Sequence, residues 1–258
     1  MDIQRYERLR QVSRRLMLEV TKTIPREAYE EMGKALGILR NNTFVLDSMD
    51  VSSVLMDACV FDWIRNGQNL VEIYFEAHPP AHGTDERLVS QAYCRAKYRV
   101  LMPETMRPGA VTYWTNLLSR EPIALMDVGL SQTVAHGFRG LLATRTAVMG
   151  DWWMTTGAGL PISDRKTGEM VLEMIRRRNL LQDTTSVGEH RLAIGAIRAC
   201  LDSGVAGHVR YLGADDEEED FVGPRLITEL RSPRCHIDRN DPCPCGSGKR
   251  YRRCCGRK

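Results

Sequence analysis

The stretch Leu141-Leu-Ala-Thr-Arg-Thr-Ala-Val-Met149-Gly150-Asp151-Trp152-Trp-Met-Thr-Thr156 sets two apolar runs, rich in Val, Thr and Trp, on either side of a Gly-Asp step. Runs of this composition read as strands. Glycine followed by aspartate is a tight-turn signal, so residues 141–149 and 152–156 are expected to form an antiparallel hairpin. Similar short runs at 110–115 and 123–130, separated by Gly and Pro, extend the hairpin to a mainly antiparallel sheet.

Upstream of Pro103 the apolar period changes from two residues to about 3.6, the signature of amphipathic helices. Ile3, Tyr6, Leu9, Val12, Leu16 and Val20 share one face. A second helix follows Pro25, with Ala28, Met32, Ala35, Leu36 and Leu39 inward, and ends near Asn41-Asn42. A third, over residues 51–65, is capped by Asp50 and stopped at Gly67; its apolar residues run almost all the way round, which makes it central. Residues 68–77 fit either a helix or a strand, with the helix preferred. Thr84 then caps a helix whose Leu88, Val89, Ala92, Tyr93, Ala96 and Val100 keep helical spacing. Beyond the sheet, residues 167–178 end in Arg176, Arg177 and Arg178, where cations suit the carbonyl end of a helix. Ser186-Val-Gly-Glu189 has the pattern of a capping box for a helix running to Gly204. Residues 205–212 are expected as a closing strand. The fold class is therefore α+β: N-terminal helices, then a mainly antiparallel sheet with covering helices, in a globular domain over residues 1–213.

The 258 residues, 43% of them apolar, suffice for one large domain with a small appendage, and a net charge of +3 gives no global argument for a polyanionic partner. The charge is unevenly spread. Asp215, Asp216, Glu217, Glu218, Glu219 and Asp220 form an unbroken acidic run, so residues 214–234 read as an acidic linker, with 221–232 as a short element inside it. The N-terminus lacks a signal-peptide pattern and no stretch approaches eighteen apolar residues, which predicts a soluble, cytoplasmic protein without a membrane span. Thiols stay reduced there, so clustered cysteines point to a metal rather than to disulfides. Cys59, Cys94 and Cys200 stand singly in apolar helical patterns and read as small buried hydrophobes.

The cluster is Asn240-Asp-Pro-Cys243-Pro-Cys245-Gly-Ser-Gly-Lys-Arg-Tyr-Arg-Arg-Cys254-Cys255-Gly256. Zinc takes four N or S ligands in a tetrahedron. Pro244 stiffens the first knuckle, and Gly246-Ser247-Gly248 permits a sharp reversal. Residues 249–255 are long enough to return a second cysteine pair to the metal. Adjacent side chains on a helix point about 100° apart, so Cys254 and Cys255 can both ligate only near a helix end. Cys235 or His236, just upstream, is an alternative fourth ligand. A module over residues 235–258 has almost no core, and zinc binding would be what folds it. Four thiolates around Zn2+ leave a formal charge of −2, which Lys249, Arg250, Arg252 and Arg253 would offset; the same residues form a basic rim suited to phosphates or an acidic protein. A four-thiolate site is closed to water, so the zinc is expected to be structural.

These residues closely resemble the SEC-C motif, the zinc-binding tail of the bacterial preprotein translocase ATPase SecA, which recurs as a C-terminal appendage on otherwise unrelated bacterial proteins. The resemblance covers only the tail. It implies that Cys243, Cys245, Cys254 and Cys255 are the zinc ligands, the last position holding Cys or His in the family. It implies as partners an acidic, export-chaperone-like protein or the ribosome and its RNA. It does not extend to the motor: Gly246-Ser-Gly248-Lys249-Arg250 lacks the remaining residues of a phosphate loop, so no ATP site is expected.

The large domain offers less. His78-Pro-Pro-Ala-His82 has the i, i+4 spacing of a metal pair, but the prolines forbid the helix that would align the rings. Asp127, Ser131, His136, Arg145 and Asp151 gather in the sheet region without a nucleophile elbow. Trp114, Trp152 and Trp153 read as core or interface aromatics, with base stacking as the lesser alternative. Two readings follow. In one the protein is a zinc-binding adaptor whose basic tail docks a protein or ribosome partner. In the other, residues 1–213 form a hydrolase or nuclease that the tail delivers.

Overall fold

A computed structural model describes residues 3–46, 48–105, 111–135, 140–162, 164–178, 180, 185–204, 250 and 253. The chain divides into two compact units, Met1–Glu217 and Glu218–Lys258, and the elements below belong to the first. The expected closing strand at 205–212 and the short element at 221–232 lie outside the described residues.

Five helices come first: α1 (Ile3–Thr21), α2 (Arg26–Leu36), α3 (Met49–Phe61), α4 (Leu70–Ala77) and α5 (Asp85–Cys94), with a two-stranded hairpin, β1 (Leu39–Arg40) and β2 (Thr43–Phe44), after α2. The apolar stripe of α1 buries Tyr6, Leu9, Val12 and Val20 as its spacing predicts, while Leu16 is half-buried and Ile3 is exposed. α2 stops at Gly37, whose φ of 78° supplies the left-handed cap, and so ends before the expected Asn41-Asn42. Those two asparagines instead sit at φ 50° and 59°, the double left-handed geometry of a type I′ hairpin turn. α3 is buried on almost every side, but Ser48 rather than Asp50 caps it, accepting a hydrogen bond from the Val51 amide. Asn69 and Glu72 form a reciprocal capping box on α4, and Thr84 caps α5 through the Arg87 amide.

The helical spacing from Leu88 to Val100 is misleading, because α5 ends at Cys94 and a nine-residue strand, β3 (Lys97–Thr105), begins three residues later. β4 (Thr112–Asn116) and β5 (Pro122–Leu125) follow. The run expected as a strand over 123–130 breaks after Leu125, because Asp127 Oδ1 accepts from the Leu130 amide and opens helix α6 (Val128–Ala135). β6 (Leu141–Val148) and β7 (Trp153–Ile162) form the expected hairpin; Gly150 takes φ 84° at its turn, and the Met149 amide donates to the Trp152 carbonyl at 2.7 Å.

The sheet does not stay open. Its strands close into a barrel in the order β3-β4-β5-β7-β6, with β6 returning to β3. All pairs are antiparallel except β5 with β7, which meet in parallel at Leu125 and Trp153, so the sheet is mixed rather than wholly antiparallel. Leu101, Trp114, Ile123, Leu125 and Leu142 fill the interior, with Leu130 and Trp153 packed against them. α7 (Arg165–Arg177) and α8 (Ser186–Asp202) complete the unit; Asp164 caps the first, and Thr185, not Ser186, caps the second by accepting from the Gly188 amide. The helices cover β3, β6 and β7, with α3 lying on β7 and α8 on β3.

Candidate functional site

The tail is the site with the most specific signal. Cys243, Cys245, Cys254 and Cys255, and the alternative ligands Cys235 and His236, lie outside the described residues, as do Lys249 and Arg252 of the basic rim. Arg250 and Arg253 are described and exposed, and the Arg253 amide donates to the Arg250 carbonyl at 2.9 Å, a single tight turn. The donor set suits zinc on its chemistry: four thiols, which as thiolates prefer a borderline-soft ion in tetrahedral coordination.

The large domain brings together residues that the sequence keeps far apart. Arg145 on β6 is buried, its Nε donating to Asp57 Oδ2 at 2.9 Å and its Nη2 to Asp62 Oδ2. Thr156 on β7 donates its hydroxyl to the other Asp57 oxygen at 2.9 Å. The guanidinium carbon stands 4.6 Å from the centre of the Phe61 ring and 5.6 Å from that of Tyr98. His190 of α8 closes the cluster, with Nδ1 3.2 Å from Asp62 Oδ1. Position follows from the fold: Asp57, Phe61 and Asp62 lie at the C-terminal end of α3, which lies on β7.

Burial alone would pull the Arg145 pKa down, but the two carboxylates outweigh it and raise it, so the guanidinium stays charged. Burial pushes the Asp57 carboxyl up; Arg145 pulls it back, and Asp62 adds to the rise. Burial likewise pushes up the Cys59 thiol next to this cluster, with Asp62 and Asp57 adding to it, which makes that thiol a poor nucleophile. One guanidinium facing two carboxylates, with donors already assigned, is a structural tie between the helical layer and the barrel.

The other residues singled out from sequence disperse. Asp127 caps α6 and accepts from the Thr155 hydroxyl at 2.6 Å, and Arg10 of α1 approaches it at 3.9 Å. Ser131 is buried and donates to the Val128 carbonyl at 2.8 Å. Asp151 is exposed in the β6–β7 turn. His136 lies outside the described residues. His78 stacks on Tyr74 with ring centres 4.6 Å apart, while His82 is exposed in the following loop. Trp114 and Trp152 are buried, as core aromatics should be. Among the described residues no group of three or more His, Cys, Asp or Glu could hold a metal ion. Asp57, Asp62 and His190 escaped the sequence reading, because their sequence separations from Arg145 and from each other carry no local pattern.

Among the described residues no helix is long and apolar enough to cross a membrane. Residues 239–257 match the model of the SEC-C motif. The protein translocase subunit SecA of Sulfurovum sp. (strain NBC37-1) is 43% identical over 90 residues, covering 33% of this chain and 10% of that one. SecA of Oleidesulfovibrio alaskensis is 44% identical over 46 residues, 18% of this chain and 4% of its own. SecA of Dehalococcoides mccartyi (strain CBDB1) is 51% identical over 37 residues, 14% and 4%. These matches fall in the C-terminal region, and the chain spans a tenth or less of the length of these relatives. No solved structure matches. Residues 1–187, which include α1 to α7 and the whole barrel, match the model described as "Family of unknown function (DUF7986)", and the chain belongs to that family, with a SEC-C motif appended.

Proposed function

We propose that the protein is a cytoplasmic adaptor. Its body is the domain over residues 1–213, its linker the acidic stretch 214–234, and its docking module residues 235–258. The SEC-C match over residues 239–257, with the SecA likeness in the C-terminal region, is the observation that carries this reading. Cys243, Cys245, Cys254 and Cys255 would hold one zinc ion, which supplies fold rather than catalysis because four thiolates leave no position for water. Lys249, Arg250, Arg252 and Arg253 present a cationic rim, and an acidic protein surface is the partner that such a rim attracts.

Two measurements test it together. Protein purified without chelator should contain about one zinc per chain, as four-cysteine sites do, and Cys243→Ser or Cys254→Ser should abolish it. Immobilised full-length protein should retain an acidic partner at low salt and release it in Arg250→Glu/Arg253→Glu. Less than about half an equivalent of zinc removes the metal site. Retention of ribosomes instead of protein moves the docking reading from acidic protein to ribosomal RNA.

A further inference from the structure

The barrel presents a face that the buried ion cluster does not use. Counted from its own first strand, it runs 1-2-3-5-4 as β3, β4, β5, β7 and β6, and strand 4 closes on strand 1. It is parallel only where strand 3 meets strand 5. The helix α6 crosses between strands 3 and 4 and sets Leu130 against the interior. These are the connections of an OB-type Greek-key barrel, whose strand 2–3 face holds oligonucleotides or oligosaccharides. Topology alone assigns no function; the side chains that β4 and β5 display select the ligand.

Among the described residues, no helix makes more than an incidental contact with either strand. On β4, Thr112, Trp114 and Asn116 are buried, whereas Tyr113 between them is 54% exposed. In register, Tyr113 lies opposite Ala124 of β5, whose methyl group leaves the phenol ring open. Met102 of β3, 38% exposed, lies opposite Thr115 and extends the apolar surface. Charge selects the ligand. Glu121 is held by the buried Arg99 at 3.4 Å, and Glu104 accepts the Thr115 hydroxyl. The β4–β5 turn ends in exposed Arg120. A sugar site would need several polar side chains converging around the aromatic ring. Here its β5 neighbours are Ala124 and Pro122, and the nearby hydroxyl of Thr115 is already engaged.

We propose that the outer face of β4 and β5 binds single-stranded nucleic acid, with Tyr113 as the stacking platform for a base and Arg120 as the contact to a phosphate. Stacking on a tyrosine suits any base, and a guanidinium pairs bidentately with a phosphodiester. Glu104, on the β3 side, confines the backbone to the β4–β5 side.

The test titrates the full-length, zinc-loaded protein against a fluorescent oligouridylate of about 12 nucleotides, within the range an OB barrel covers, and reads anisotropy. Tyr113→Ala should weaken binding about ten-fold, as loss of one stacked base does, while Tyr113→Phe retains it. Arg120→Ala should weaken binding and flatten its salt dependence, and Glu104→Gln should tighten it. Met170→Ala, an exposed site on α7, should change nothing. The proposal is overturned by absence of binding, by binding that Tyr113→Ala leaves intact and that therefore belongs to the basic tail, or by equal displacement with a neutral oligosaccharide. None of these outcomes bears on zinc content, and only the second, which assigns RNA to the tail, bears on the tail's partner, as retention of ribosomes would.

Discussion

Arg145 Nε donates to Asp57 Oδ2 at 2.9 Å, between side chains that are each only 4% exposed. The bond joins a barrel strand to the C-terminal half of α3, and Asp62, wholly buried at its side chain, completes a fork on the same guanidinium. Removing the cation leaves two buried carboxylates without their main partner, whereas the aliphatic part of the site is easily refilled. Arg145→Met should therefore destabilise the domain by about 3–5 kcal/mol in urea denaturation. Arg145→Lys should recover little, because an ammonium cannot serve two carboxylates in fork geometry.

The same cluster makes stability depend on pH. The folded Asp57 carboxyl titrates above its ordinary value, burial being the main cause. A group raised on folding contributes stability that is fully present below its unfolded pKa and lost as pH rises through its folded pKa. Its contribution is thus lost from about pH 4, the ordinary carboxylate value, upward to that raised value. Asp57→Asn should flatten the fall of unfolding free energy with pH in that window, as measured by denaturant midpoints at a series of pH values. A profile identical in slope to wild type would remove Asp57 as its source.

Gly33 of α2 faces the β1–β2 hairpin so closely that an added Cβ would meet the Phe44 ring at 2.5 Å and Leu39 Cβ at 3.1 Å. Alanine normally favours a helix over glycine by up to about 1 kcal/mol. Here the half-buried Phe44 ring must shift and Leu39 give slightly, and such overpacking costs about 1–3 kcal/mol. Gly33→Ala should lower the thermal midpoint. Gly33→Ala combined with Phe44→Ala should recover part of the loss, since the ring is the nearest obstruction.

What could be read from sequence and what could not divide along physical lines. The stripe of α1 and the Gly150 turn were legible because burial there is one-sided or the backbone demands glycine. Strand β3 was not, because Tyr98, Arg99, Val100 and Leu101 are all buried, on both faces of the sheet, which erases the period of two. Asn41-Asn42 closes a hairpin turn rather than a helix, because both residues take the left-handed backbone. The four tail cysteines fall within thirteen residues, so their pattern is visible, whereas the tie from Arg145 to Asp57 spans 88 residues and arises only when α3 lies on the barrel.

The eight cysteines should separate by reactivity in a way that decides the ligand set. Burial pushes the Cys200 thiol up to about 12 and also raises buried Cys59 and half-buried Cys94, so these thiols are scarcely ionised near neutral pH and should react slowly until the domain unfolds. Zinc-bound thiolates are shielded until the metal is removed. If Cys243, Cys245, Cys254 and Cys255 are the ligands, a thiol reagent added to native zinc-loaded protein should modify Cys235 rapidly, chelation should release the four tail cysteines, and denaturant the remaining three. Should Cys235 replace Cys255 in the site, the rapid phase would fall on Cys255 instead and survive Cys235→Ser. Peptide mapping of the rapidly labelled residue therefore separates the two ligand sets.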